Sequence, residues 1–263
     1  MKRLFGILAV CLLICAMIPV SFAEDSIRGY EKGNGYVYVQ LGTYPTDRDG
    51  TRQPVLWRVL YLDIETNEAL LLSEYILDVQ QVIFCDSRKD SDSRNFRKIN
   101  DYGESDMNVW MNESMFPDIM GEDPMIGAAV EKQYGKLYPL TDEQHLNTEY
   151  GFDESRWFDH KCRMCEATEY AKHHKLHENF SEGSKQYLTV EEGYSTYWSA
   201  TIKNPDDYYM SIVGVNGHLS YGAYTRINIG VRPAITLNMN LCSVVSGDGT
   251  AENPFVLQYN PEN

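Results

Sequence analysis

Asn216-Gly217 sits between two β-forming runs, Tyr208–Val215 and His218–Tyr221. A two-residue type I′ turn needs positive φ at both central positions, and Asn-Gly supplies it at little cost. The flanking runs are thereby committed to an antiparallel hairpin. Further runs supply strands for the same kind of sheet: Ser195–Ala200 before it and Gly230–Leu237 after it. Near the other end, Tyr36–Leu41 alternates and stops at Gly42. Leu56–Leu62 and Ala69–Ser73 read as a second hairpin joined by Asp63–Glu68. The tail 242–263 reads as a third, with the Gly/Asp/Pro-rich turn Ser246–Leu257 between Cys242–Val245 and Phe255–Tyr259.

The middle of the chain changes period. Ser105 is placed to cap a helix whose Met107, Trp110 and Met111 share one face. Met115 extends that stripe, and Pro117 should end or kink the helix. Lys136–Leu140 reads as a short strand. Thr141 and Gln144 fit a capping box, which predicts a second helix to about Tyr150. A third helix is predicted over Cys165–Leu176. Strands at both ends with helices between them define an α+β chain rather than a doubly wound one.

The first 23 residues read as a secretory signal peptide. Lys2 and Arg3 precede an apolar run, Leu4–Val20, and small residues at Ser21 and Ala23 favour cleavage before Glu24. Export to the medium or the cell surface follows, with 24–263 as one α+β domain. No membrane span is expected after cleavage, because no second long apolar stretch occurs. Four cysteines remain, Cys85, Cys162, Cys165 and Cys242, all candidates for disulfides. The formal net charge of −15 excludes nucleic acid as a natural partner, since phosphates would be repelled. The 19 tyrosines suit strands, and they also suit surfaces that bind sugars or peptides, because the ring offers wide contact at low entropy cost.

Several segments, in order, resemble a large family of uncharacterised domains in secreted bacterial proteins. They are YVQLGTYP (Tyr38–Pro45), VLWRVL (Val55–Leu60), LLLSEYILD (Leu70–Asp78), VWMN (Val109–Asn112), CEATEYAK (Cys165–Lys172), YWSA (Tyr197–Ala200) and GVRPAITLN (Gly230–Asn238). The C-terminal half is also similar to the end of C-type-lectin-like domains of the formylglycine-generating-enzyme superfamily. That resemblance implies a twisted antiparallel sheet holding an aromatic strand and a Gly-x-Arg strand. It implies no activity, since fold does not determine function. The sequence departs from the pattern at YWSATIKNP, where Leu-Arg-Ser-Pro more commonly follows the tryptophan. The superfamily's copper-binding cysteine pair is not matched, because only Cys242 lies in that half.

The stretch WFDHKCRMCEATEYAKHHKLHE (Trp157–Glu178) holds the densest chemistry. Cys162, Cys165, His173 and His177 offer thiolate and imidazole ligands for zinc, with the two histidines one turn apart on a helix. Cys165 lies two helical turns from His173, which disfavours a common ion. Neither Gly-x-Ser-x-Gly nor HExxH occurs, and no carboxylate pair stands out among 38 acidic residues. The turns at Asp47–Gly50 and Asp248–Gly249 lack the spaced acid of a calcium loop. Trp57, Trp110 and Trp198 read as core. Trp157, Tyr197, Tyr208 and Tyr224 are the aromatic candidates for a ligand surface. Arg232 reads as a buried structural arginine. The sequence thus points to a non-catalytic binding module for a carbohydrate, a peptide or a cell-surface partner, with no cofactor. A hydrolase or thiol-dependent enzyme and a zinc-stabilised structural protein are the alternatives.

Overall fold

The computed structural model describes residues 36–83, 100–152, 162–173, 190–204, 209–225 and 227–261. The expected leader and its cleavage point lie outside them. The strands are, in chain order, β1 (Val37–Pro45), β2 (Arg52–Asp63), β3 (Glu68–Ser73), β4 (Asp78–Gln80), β5 (Ala129–Val130), β6 (Leu137–Pro139), β7 (Val190–Glu191), β8 (Tyr194–Ser195), β9 (Tyr197–Asn204), β10 (Tyr209–Val213), β11 (Leu219–Tyr224), β12 (Ile229–Val231), β13 (Pro233–Asn238), β14 (Cys242–Ser246) and β15 (Phe255–Tyr259). With few and short helices beside them, the fold is α+β.

Most strands belong to two sheets. The larger runs β14-β15-β1-β2-β3-β13-β5, with β6 also on β13, and the smaller runs β11-β10-β9-β12-β4. All three expected hairpins form, but the Asn216-Gly217 connection is not a two-residue type I′ turn: β10 ends at Val213, β11 begins at Leu219, and of the two central residues only Gly217 has positive φ (75°). The sheets are mixed rather than wholly antiparallel, which corrects the expectation. β15 lies parallel to β1, and β12 parallel to β9. In the first case β2 already occupies one edge of β1, and the C-terminal hairpin docks its second strand on the edge that remains. The run expected as one strand over Gly230–Leu237 is divided between the sheets: β12 belongs to the smaller, β13 to the larger, and Arg232 stands at the crossing. Pro233 cannot donate to a ladder, so a break there is natural.

One hydrophobic cluster includes Trp57 and Leu71 of the larger sheet together with Trp198 and Val231 of the smaller. Both indoles are fully buried and satisfy their N–H groups on backbone, Trp57 on the Leu41 carbonyl (2.9 Å) and Trp198 on that of Gln80 (2.8 Å). Burying a ring of this size contributes roughly 4–6 kcal/mol before entropy is counted. Trp110 is only partly buried at the edge of the cluster.

The helices depart from expectation in length. In the first, α1 (Asp106–Trp110), the Ser105 hydroxyl accepts the Asn108 N–H as expected. The helix does not stop before Pro117. It passes through a π turn (Met111–Met115) into α2 (Phe116–Met120). There the Phe116 N–H reaches back to the Met111 carbonyl, and the wider π turn just ahead of Pro117 lets the helix pass a residue that cannot donate the next bond. Met107, Met111 and Met115 are buried, as the stripe implied. The capping box at Thr141 and Gln144 is complete, but α3 (Asp142–His145) is a single turn. Asn147 then accepts the Glu149 N–H and opens a separate 3-10 turn, Thr148–Tyr150, so the predicted continuation to Tyr150 is broken by side-chain competition. The last helix, α4 (Glu169–His173), starts where the Thr168 hydroxyl accepts the Ala171 N–H (3.1 Å). Cys165 lies ahead of it in extended backbone, and 174–176 lie outside the described residues.

Gly42 marks a tight contact between sheet and helix. Its φ is +64°, and a Cβ there would meet the Ile119 carbonyl oxygen and Cγ2 at 2.6 Å. Gly42→Ala is expected to lower stability by about 2–4 kcal/mol, from left-handed strain plus overpacking. Urea denaturation checks this, and a loss under about 0.5 kcal/mol, the range of a neutral surface change, would contradict it.

Candidate functional site

Cys165 and Cys242 are buried thiols, and Cys162 is partly buried. No disulfide joins Cys162, Cys165 and Cys242 to one another, and Cys85 lies outside the described residues. Cys165 is buried, with its Sγ on the Glu74 carbonyl (3.2 Å). Burial pushes its thiol up to about 11, and burial likewise pushes Cys242 up to about 12. A thiol held protonated is neither a good nucleophile nor a ready metal ligand. The backbone around Cys165 is paired on both sides: Ile76 bridges Ala167, and Glu166 bridges Tyr194. Upstream, the Cys162 carbonyl accepts from Arg58 (2.9 Å), whose guanidinium also grips Glu74 through two bonds of 2.8 and 2.7 Å. Among the described residues no group of three metal-ligating side chains occurs. His177 lies outside them. His173, at the end of α4, faces Glu169 at 3.6 Å instead.

Arg163, between the two cysteines, does more than either. It is 1% exposed, and it donates from Nε to the Gly217 carbonyl (2.8 Å) and from Nη1 to the His145 carbonyl (2.9 Å). It therefore ties the Asn216-Gly217 turn to the C-terminus of α3. Its own carbonyl accepts from the Tyr197 hydroxyl (3.0 Å), which also accepts from Arg232 Nη1 (3.2 Å). Tyr197 is buried in this knot, with its pKa pushed up to about 12 chiefly by burial. That corrects its expected place on a ligand surface: the hydroxyl and ring are consumed by Arg163 and Arg232. Trp157 and Tyr208 lie outside the described residues, and only the backbone of Tyr224 is described, paired with Tyr209.

His145 borders the knot and is fully buried, with ring centroids 5.6 Å from Phe152 and 5.7 Å from Tyr197. Neither ring nitrogen has a hydrogen-bond partner among the described residues. Burial, then Arg232 and Arg163, hold its pKa well below the usual imidazole range.

The open concave surface with binding chemistry lies elsewhere. A groove of about 470 Å³ is bounded by the larger sheet, the 131–136 turn, α3 and the Thr148–Tyr150 turn. Its floor is a cross-strand row: Tyr61 of β2 opposite Leu70 of β3, opposite Thr236 of β13. A bulge creates that row. Between Val59 and Tyr61 the β2 strand gains one residue relative to β3, so Leu60 is buried while Tyr61 is 39% exposed. Tyr150 stands against Tyr61 at 5.8 Å between centroids with planes tilted 44°. Tyr134 and Tyr138 complete the aromatic lining 6.4 Å apart. Asn112, on the π turn, fixes the loop that carries Tyr134. Its amide donates to the Tyr134 carbonyl (2.9 Å), and its Oδ1 accepts from the Lys136 N–H (2.8 Å). Asp63, Glu68, Lys132 and Glu143 ring the groove, with Gln133 and Gln144 as neutral donors and acceptors.

A second groove, about 580 Å³, runs between β1 and α2. It is larger but has no aromatic ring in its lining. Its one cation, Arg52, is already bound to Asp118 (3.0 Å) and to the Thr43 carbonyl (2.7 Å). Aromatic faces with a few convergent polar groups are what distinguish ligand sites, so the tyrosine groove is the stronger candidate. None of its tyrosines was singled out from sequence. The available signal was the break in β2 alternation at Leu60-Tyr61, beside the overall excess of tyrosine. Comparison with protein-family models, curated proteins and solved structures finds no match.

Two outcomes follow from the buried groups. Iodoacetamide at neutral pH should leave Cys165 and Cys242 unmodified in the native protein and alkylate both in denaturant; mass spectrometry of tryptic peptides reads the result, and rapid native labelling would contradict it. His145 has a folded pKa below its unfolded one, so the unfolded chain binds the extra proton first. Stability should therefore fall as pH drops below about 6.5 towards the folded pKa. Melting temperature measured from about pH 7 to 5.5 should decline, and less steeply in His145→Phe. An identical slope in the variant would contradict this.

Proposed function

We propose that the protein is an exported, non-catalytic binding module that holds a carbohydrate chain in the tyrosine groove. The observation that supports this most is the Tyr61–Tyr150 pair, two ring faces set at an angle above a floor of sheet, with carboxylates and amides at the rim. Apolar sugar faces stack on such rings while hydroxyls reach the rim groups, and rigid tyrosines give this contact at low entropy cost. Export rests on the leader at 1–23. Among the described residues no helix is long and apolar enough to cross a membrane. The acidity of the chain disfavours nucleic acid as the occupant. The burial and raised pKa of Cys165 weigh against a thiol-dependent enzyme.

For the fold we propose membership of the uncharacterised secreted-domain family and a C-type-lectin-like arrangement of its C-terminal half. The support is the pair of motifs that suggested it. YWSA opens β9 and GVRPA spans β12 and the start of β13, and these strands are neighbours through the pairing of Gly230 with Tyr197.

A glycan array on the purified protein identifies an oligosaccharide, and calorimetry then measures its affinity. Tyr61→Ala and Tyr150→Ala should each weaken binding by about 1–2 kcal/mol, roughly five- to thirty-fold. Arg52→Ala, in the other groove, should leave affinity unchanged. A blank array, or full affinity in Tyr61→Ala, would contradict the proposal.

A further inference from the structure

We infer that the glycan preferred by this groove carries protonated amines, as in a deacetylated polymer of glucosamine. The inference rests on the groove being a carbohydrate site and specifies the ligand's charge. Three carboxylates, Asp63, Glu68 and Glu143, line the groove against one ammonium, Lys132. Lys132 is already engaged, since its Nζ is ion-paired with Glu68. Asp63, at the end of β2, also feels Lys132, and Glu143, in the first turn of α3, adds a further carboxylate to the lining.

Asp63 and Glu68 are direct cross-strand partners closing the β2–β3 hairpin, with the Lys132 ammonium serving both. Asp63 is also fixed in its charged form. Its Oδ1 accepts the N–H groups of Glu65 (2.9 Å) and Thr66 (3.3 Å), which hold its carboxyl below the usual range. Carboxylates beside the exposed Tyr61 and the half-buried Tyr150 make a surface suited to a cation, because the faces of the rings are themselves negative. The acidity of the whole chain draws cations towards it. A basic peptide would answer to the same charge, but the angled aromatic pair and the neutral Gln133 and Gln144 favour rings bearing hydroxyl groups.

The test compares the glucosamine hexamer with the N-acetylglucosamine hexamer by calorimetry on the purified protein, in mildly acidic low-salt buffer. The two share a backbone and differ in charge. The amine form should bind about tenfold tighter, and the gap should shrink as salt screens the rim. Asp63→Asn, which keeps the turn-capping oxygen, and Glu143→Gln should each cut that preference by about threefold while leaving N-acetylglucosamine binding in place. Melting temperature confirms that both variants fold. Equal or tighter binding of the acetylated hexamer, an unmoved preference in both variants, or equal affinity for hexalysine would each overturn the charge inference alone. No binding of either sugar, with the glycan array also blank, would overturn the carbohydrate reading beneath it.

Discussion

Arg232 joins the two sheets, and most of the polar interior is arranged around it. The chain leaves the smaller sheet at Val231 and enters the larger at Pro233, with Arg232 fully buried between. Its Nε donates to the Ser73 carbonyl (2.9 Å) at the end of β3, and its guanidinium carbon lies 5.3 Å from the Tyr197 ring centroid. Through the Tyr197 hydroxyl the network continues to the Arg163 carbonyl, and through the Arg163 side chain to the Asn216-Gly217 turn and α3. A buried guanidinium costs several kcal/mol of desolvation unless its donors are met. Here carbonyls meet Arg163 at Nε and Nη1 and Arg232 at Nε, and the Tyr197 hydroxyl meets Arg232 Nη1, while Arg232 Nη2 has no hydrogen-bond partner among the described residues; these partners come together only when sheet, turn and helix are all in place. The arginines thus specify which elements come together more than they add to net stability.

That dependence reaches the groove. α3 supplies Glu143 and Gln144 to one wall, and α3 is a single turn with little helical stability of its own. The capping box holds its N-terminus and Arg163 holds its C-terminus. On the opposite wall the 131–136 turn is shaped by Asn112, which a π turn presents. The floor is rigid sheet, bent once by the extra residue at Leu60. Each wall is thus a short element without independent stability, held to its neighbours by polar side chains, α3 also through Asp142 to Ser199, Thr201 and Lys203 of β9. Such construction suits a surface that must keep rings and carboxylates in register.

The parts of this fold that could be read from sequence are those whose signals are local. Asn216-Gly217, the Thr141 capping box and the methionine stripe each state their structure within a few residues. α3 is shorter than its capping box suggests because Asn147 opens a new turn, and α4 starts late because distant pairing decides the backbone before it. Cys165–Ala167 is periodic enough to continue a helix, yet its backbone is taken up by Ile76 and Tyr194. The division of Gly230–Leu237 into two strands was signalled by Pro233, although the signal does not say which sheets the halves join. The groove was the least visible. Tyr61, Tyr134 and Tyr150 are far apart in sequence, and only the topology of β2, β3 and β13 brings them together. The cysteines and histidines that drew attention to 157–178 proved less informative than Arg163 among them.

The central claim is that ligand binds over Tyr61 and Tyr150. Chemical-shift mapping by NMR during titration with an amino-sugar oligomer tests it most directly. The account predicts that the largest perturbations fall on Tyr61, Tyr134, Glu143 and Tyr150, while Tyr197, Cys165 and the Arg52–Asp118 groove stay still. Shifts concentrated at Arg52 and Asp118, with Tyr61 and Tyr150 unmoved at saturation, would contradict it.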